Sequence, residues 1–291
     1  MKDSESVIRN DGLEKIQYDW NDFPVLIRKN VIEKDEPLHM VQKHWHHDLE
    51  FIAVAEGSVK YNVNGEVIRM KAGEGIFVNA QQLHYIMSDD GAYVVLYCVV
   101  IHPMLLCPVY RMERKYVKPV VENTSIPYLF LRDSIDWQKN ILKLVESMYE
   151  ETRSKMAELV ILQLLAEMWK ILYENTEKVE RPGAQSNQHL SNLKNMMMYI
   201  YANYREKITL DDICVAGNVG KTTCTMLFKK YVGVTPNAFL LDVRLEKAAH
   251  LLRESDMNIT EIAFETGFSG ASYFSEAFRQ KFGCSPREFR L

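Results

Sequence analysis

No C-x-x-C pair occurs in this sequence. Its five cysteines, Cys98, Cys107, Cys214, Cys224 and Cys284, are scattered along the chain. An odd, unclustered set excludes a disulfide framework and a structural zinc ribbon, and fits a reducing compartment. A long uninterrupted apolar run is missing as well. The most apolar stretch, Met156 to Tyr173, contains Glu158, Gln163, Glu167 and Lys170, which argues against a membrane span. The opening segment, MKDSESVIRNDGLEK, has no apolar core of the kind a secretory signal needs. These absences predict a cytoplasmic protein with no membrane partner. Nor does one sign of charge dominate: the net charge is −4 over 291 residues. Its distribution is uneven, however. From Gln188 onward there are 13 Lys+Arg against 11 Asp+Glu, whereas the residues before it hold 22 against 28. A relatively basic C-terminal part suits a polyanionic partner, provided its cations are grouped locally.

At 291 residues the chain exceeds a typical single domain, and its patterns divide it. From about Val25 to Ile101 the signals are those of strands. Val59, Tyr61 and Val63 alternate with Ser58, Lys60 and Asn62, and Asn64-Gly65 then offers a type I′ hairpin turn. Ile68 and Met70 resume the alternation, a turn at 72–75 precedes Ile76-Phe77-Val78, and Tyr93 to Ile101 is β-branched and aromatic. Short, closely spaced strands of this kind predict a small barrel or sandwich. From Trp137 the period becomes helical. A second helix, roughly Lys155 to Asn175, is apolar on more faces than one partner surface needs, which predicts packing against the barrel together with a homodimer interface. The stretch KVERPGAQSN, Lys178 to Asn187, reads as a linker. The expected domains are therefore residues 1–178 and 188–291.

Within the first domain, HWHHDLE stands out. Side chains alternate faces along a strand, so His44, His46 and Glu50 share one face, and His84 is available as a fourth member. Imidazole and carboxylate together suit Zn, Fe, Ni or Mn, and equally suit the polar groups of a small organic ligand.

The second domain contains an internal repeat. Phe228-Lys-Lys-Tyr-Val-Gly233-Val-Thr235-Pro236 and Phe278-Arg-Gln-Lys-Phe-Gly283-Cys-Ser285-Pro286 both read F-x4-G-x-[ST]-P, 50 residues apart. Each follows a helix, a break and another helix. Thr209 with Asp212 and Asn258 with Glu261 supply N-terminal caps, Gly217-Asn218 and Gly267 the breaks, and Ser269 a further cap. Two such helix pairs in tandem form the helix-turn-helix pattern. On the first outer face lie Lys221, Thr222, Thr223, Thr225, Met226, Lys229 and Lys230; on the second lie Ala271, Ser272, Tyr273, Ser275, Glu276 and Arg279. These are the candidate DNA contacts. Lys229, Lys230, Arg279 and Lys281 suit phosphates, and the hydroxyls suit bases or phosphates.

The stretch RLEKAAHLL through NITEIAFETGFSGASYFSEAFRQKFGCSPREFR resembles the DNA-binding domain of the AraC/XylS family of bacterial transcription regulators. The likeness covers about Leu190 to Leu291. It implies recognition helices at Lys221 to Tyr231 and Gly270 to Phe282, placed one DNA turn apart by a connecting helix. The chain departs from the family at Met226 and Glu276, where arginine is common, and at Gly220, where serine is. The front half resembles a cupin-like sensor barrel, with His44, His46, Glu50, Gly57, Gly73 and His84 fitting the HxHxxxE…G…G…H pattern. That resemblance implies an effector cavity, and the expectation here is that His44, His46, Glu50 and His84 contact the effector with help from aromatic walls such as Tyr61 and Phe77. A divalent metal on the same four ligands, and mutually paired buried side chains, stay open beside it. The expectation is a multi-domain α and β protein: a cupin-like β-barrel with dimerisation helices, then an all-α tandem helix-turn-helix domain. It would bind double-stranded promoter DNA in response to a small-molecule effector such as a sugar, as a homodimer, with RNA polymerase as a further partner and no catalysis. A cupin metalloenzyme fused to a DNA reader is the alternative.

Overall fold

The computed structural model describes residues 7–8, 14–20, 22–32, 43–87, 93–176 and 187–290. The chain forms two compact units that meet in sequence at Asn187 and Gln188. Apart from Asn187, the stretch expected to be the linker lies outside the described residues. Among those residues, no helix is long and apolar enough to cross a membrane.

The first unit is built from β1 (Val25–Ile32), β2 (Leu49–Glu56), β3 (Ser58–Val63), β4 (Glu66–Lys71), β5 (Glu74–Val78), β6 (His84–Met87), β7 (Val94–Ile101) and β8 (Tyr128–Arg132). They form two antiparallel sheets, one in the order β8-β5-β2-β7-β1 and the other β4-β3-β6. The β3–β4 hairpin turns at Asn64 and Gly65, both at positive φ as a type I′ turn requires. Strand β2 is buried on both faces, and its sequence LEFIAVAE is accordingly a nearly continuous apolar run. Its even-numbered side chains Ile52 and Val54 share a core with Ile76, Val78, Leu96, Tyr61, Val63 and Ile86 from both sheets. Its odd-numbered side chains Leu49, Phe51 and Ala53 join a second core with α1 (Asp136–Glu151) and α2 (Ala157–Thr176).

Helix α1 buries Ile141, Leu142, Val145 and Met148, and α2 buries Ile161, Leu165, Met168, Trp169 and Leu172. The surplus apolar residues of α2 divide by face. Leu165 and Leu172 are fully buried core, whereas Met156, just ahead of the helix, and Leu159 and Leu162 within it lie exposed.

The second unit is all-α: α3 (Asn187–Asn203), α4 (Leu210–Ala216), α5 (Lys221–Leu227), α6 (Pro236–Glu254), α7 (Ile259–Glu265), α8 (Ala271–Phe282) and α9 (Pro286–Arg290). Capping boxes start α4 at Thr209 and Asp212, and α7 at Asn258 and Glu261, as the sequence predicts. The repeated F-x4-G-x-[ST]-P motif has a physical reading. Gly233 and Gly283 end their helices in the left-handed conformation, Thr235 caps α6 and Ser285 caps α9, and the prolines open the helices that follow. Two expectations need correction. Gly270, not Ser269, is the N-cap of α8, which begins at Ala271. The helix expected to span Lys221 to Tyr231 is regular only to Leu227. A wider π-type turn carries it through Val232, with the Gly233 N–H donating to the Phe228 carbonyl at 3.0 Å.

Candidate ligand cluster and nucleic-acid interface

His44 and His84 come together through a reciprocal backbone pair, His84 N–H to the His44 carbonyl at 3.0 Å and His44 N–H to the His84 carbonyl at 3.3 Å. Their rings are 4.3 Å apart, and the His46 ring lies 4.8 Å from that of His84. Strand β2 contributes Glu50 from its inner, even-numbered face. Its Oε2 stands 2.8 Å from His84 Nε2 and 3.7 Å from His46 Nε2, and accepts a hydrogen bond from the Tyr61 hydroxyl at 3.1 Å. All four members are buried. Two of the three imidazoles have one nitrogen engaged outside the cluster: His46 Nδ1 lies 3.1 Å from the Asp48 carbonyl and His84 Nδ1 2.9 Å from the Gln82 carbonyl. Carbonyls accept only, so these contacts place a proton on Nδ1 of both rings and leave each Nε2 facing inward toward Glu50. One nitrogen from each of His44, His46 and His84 falls within 4.8 Å of the others.

Electrostatics follow from this enclosure. Burial alone would raise the pKa of Glu50, but the imidazoles of His84 and His46 outweigh it and hold the carboxyl well below its ordinary value. For His84, burial and then the neighbouring His44 lower the pKa, against the opposing pull of Glu50.

The structure thus brings His44, His46, Glu50, His84 and Tyr61 together. It does not bring Phe77 with them. Phe77 is paired in register with Phe51, 4.8 Å from its ring, and belongs to the core beneath the helices, 6.5 Å from Trp169. It sits on the opposite face of the sheet from Glu50, away from the cluster. A residue that sequence reasoning missed, Cys98, donates its thiol to Glu50 Oε1 at 3.3 Å. Only the β2–β7 register, which sequence does not reveal, brings it there. Tyr18, also missed, donates to Asp48 at 2.6 Å and braces the turn that holds His46.

On the second unit, Lys221, Thr222, Met226, Lys229 and Lys230 are exposed on α5 and its extension, with Thr223 and Thr225 half-buried. On α8, Ser272, Tyr273, Glu276 and Arg279 are exposed, while Ala271 and Ser275 are half-buried. Lys221 pairs with Asp211 at 2.8 Å, an exposed contact of small energetic weight. Lys281, expected to suit phosphates, is instead turned inward: its Nζ lies 3.1 Å from both Asp242 and Glu246 of α6, tying the second recognition helix to the connecting helix. Arg244 of α6, also missed from sequence, donates to the carbonyls of Tyr204 and Glu206, both at 2.8 Å. Gly267, at φ +83°, packs against the same loop. A Cβ there would come within 2.5 Å of the Tyr204 carbonyl oxygen.

Comparison with known proteins agrees with both halves of this geometry. Residues 30–165 match the family described as the AraC-like ligand binding domain, and residues 213–291 match the family described as a helix-turn-helix domain. The chain is 30% identical over 271 residues to the HTH-type transcriptional regulator YdeC of Bacillus subtilis (strain 168), covering 92% of each protein. It is 26% identical over 275 residues to the HTH-type transcriptional activator RhaS of Enterobacter sp. (strain 638), again over 92% of each. Among solved structures it is similar to ToxT of Vibrio cholerae strain SCE256, at 14% identity and a TM-score of 0.44, over 92% of this chain and 95% of that one. With a relative of 30% identity along nearly its whole length, and with ligand-binding and helix-turn-helix families matched in order, this chain belongs to the AraC family of DNA-binding transcriptional regulators.

Proposed function

We propose that this regulator changes its affinity for promoter DNA when a small polar metabolite, such as a sugar, is enclosed among His44, His46, Glu50, Tyr61 and His84. The observation that carries this reading is the convergence of three imidazoles, a carboxylate and a phenol, all buried, between the sheets of a domain joined to two DNA-reading units. Hydroxyl-rich ligands present donors and acceptors to such groups at once. The relatives reported above are transcription regulators, which favours reporting over turnover. The protein acts where chromosomal DNA lies, in the cytoplasm. It does so as a homodimer through the outward apolar face of Met156, Leu159 and Leu162, with RNA polymerase as a further partner at the promoter.

A metabolite screen on the full chain tests this, read as a shift in melting temperature and in affinity for a footprinted operator. The expected result is one polar metabolite that moves both, and that moves neither in His46→Ala. A metabolite-dependent turnover of substrate would overturn the assignment as a non-enzyme.

One observation favours a second reading, in which the cluster holds a divalent metal. His84 Nε2 is buried and without a hydrogen bond of acceptable geometry, although Glu50 Oε2 is 2.8 Å away. When the His84 ring is neutral, with its single proton engaged at Gln82, two electron-rich atoms stand face to face, and a cation bound by His44, His46, Glu50 and His84 would resolve the conflict. When bound, such an ion would offer an effector oxygen a Lewis-acidic contact. Elemental analysis separates the readings: below about 0.1 metal per chain the side chains contact the effector directly.

A further inference from the structure

The two recognition helices repeat one another in burial as well as in sequence. Cys224 and Phe274, Leu227 and Ala277, and Phe228 and Phe278 are buried at positions 50 residues apart. Thr222 and Ser272, Met226 and Glu276, and Lys229 and Arg279 are exposed at the same spacing. Equal burial at equal positions means that both helices turn the same places outward.

Along that outward face the chemistry is of two kinds. Some places carry the same group in both units: a hydroxyl at 222 and 272, a hydroxyl at 225 and 275, a cation at 229 and 279. Others differ: Lys221 against Ala271, Thr223 against Tyr273, Met226 against Glu276. The sugar-phosphate backbone is the same at every step of a duplex, whereas base edges are not. Groups shared by the two helices therefore suit the backbone, and groups that differ suit sequence.

The sharpest difference is at 226 and 276. Met226 is 45% exposed in a shallow depression lined also by Lys221, Thr222, Thr225, Lys229 and Lys230. It is a soft apolar group among hydroxyls and cations, complementary to the C5-methyl that thymine presents in the major groove. Glu276 is an exposed carboxylate with no ion-pair partner among the described residues. Beside a polyanion it is repelled unless a donor meets it. In the major groove that donor is an exocyclic amino group. Cytosine presents its N4 amino with no acceptor on its own major-groove edge, whereas adenine places N7 next to its amino group and repels a second carboxylate oxygen.

We propose that Glu276 reads a cytosine through its N4 amino group and Met226 a thymine through its methyl group. Each half-site is then chemically asymmetric, with the thymine and the cytosine roughly 34 Å apart, about one helical turn. This rests on the reading of both units as docked in major grooves.

The test is selection of binding sites from randomised duplexes by the full-length wild type, Glu276→Gln and Met226→Ala, followed by titration of the best site. Glutamine pairs with adenine, so Glu276→Gln is expected to move one selected position from cytosine to adenine, with a change in preference of roughly ten-fold or more. Deoxyuridine in place of the contacted thymine is expected to weaken wild-type binding about four-fold, the effect of one buried methyl-sized group, and to leave Met226→Ala unchanged. A Glu276→Gln variant that keeps the wild-type base profile while binding all sequences more tightly would place the carboxylate at the backbone and overturn the proposal. So would the absence of any thymine sensitive to deoxyuridine. Failure of the wild type to select any sequence would instead overturn the docking on which the proposal rests. Both side chains are exposed, and a melting curve for each variant verifies that the fold is intact.

Discussion

His84 Nε2 stands 2.8 Å from Glu50 Oε2, inside the sheets and away from water. The same imidazole has its other nitrogen 2.9 Å from the Gln82 carbonyl, so one ring faces two acceptors.

This pair makes the metal-free ligand-binding unit sensitive to acid. Burial lowers the His84 pKa, so between that lowered value and about 6.5 the unfolded chain binds a proton that the folded chain refuses, and stability falls as pH drops through that window. Glu50, held low in the fold, contributes stability that is present above its ordinary value near 4.5 and is lost as pH falls through the folded one. Both groups act in the same direction. Melting temperature is therefore expected to decline from pH 7 to pH 4, and His84→Gln is expected to flatten the upper part of the decline. An unchanged profile in that variant would place the titrating group elsewhere.

The two faces of α2 are expected to respond differently to substitution. Leu165→Ala opens a cavity in a full core and is expected to destabilise the first unit by about 2–5 kcal/mol in chemical denaturation. Leu159→Glu and Leu162→Glu alter exposed positions and are expected to leave the melting temperature nearly unchanged while converting dimers to monomers in sedimentation. A folded Leu159→Glu, Leu162→Glu double variant that sediments as a dimer would move the interface elsewhere.

Lys281→Met is expected to destabilise the second unit by roughly 1–3 kcal/mol, because Asp242 and Glu246 lose a shared donor in a largely enclosed place. Lys229→Met removes only an exposed cation and is expected to leave stability alone while reducing the salt dependence of DNA binding by about one counterion. Thermal melts and a salt titration read both.

Gly267→Ala combines a left-handed φ with a Cβ 2.5 Å from the Tyr204 carbonyl oxygen and 2.9 Å from that of Arg205. A loss of more than about 1 kcal/mol is expected, since the conformation alone is unfavourable by that amount for a residue with a side chain. Gly233, at φ +82°, has no neighbouring atom within 4 Å of the added carbon, and Gly233→Ala should show the conformational part alone. Denaturant titration of the two variants separates strain from collision.

Local features of this fold are written in local sequence. The turn at Asn64-Gly65, the capping boxes at Thr209 and Asn258 and the repeated helix ends at Gly233 and Gly283 each depend on a few adjacent residues, and each is found where the sequence places it. His44, His46 and Glu50 are grouped as expected, but not by the expected alternation along one strand: β2 begins only at Leu49, a bend at 47–48 separates it from His46, and His44 is placed by its backbone pairing with His84. Phe77 escapes such reasoning because its face is decided by a partner strand, through the pairing Phe51 to Phe77. Cys98 reaches Glu50, and Lys281 reaches Asp242 and Glu246, across separations of 48, 39 and 35 residues, which no local pattern encodes. The divided role of α2 is of the same kind: its apolar residues announce burial, but only packing decides which of them meet the sheet.

Glu50 and Phe51 are neighbours on β2 that point to opposite sides of one sheet. The carboxylate belongs to the buried polar cluster, while the phenyl ring rests on Phe77, which in turn meets Trp169 of α2. A single peptide plane separates the two environments, and such a plane does not bend. The polar cluster and the packing of the outer helix thus share one strand, back to back across its thickness.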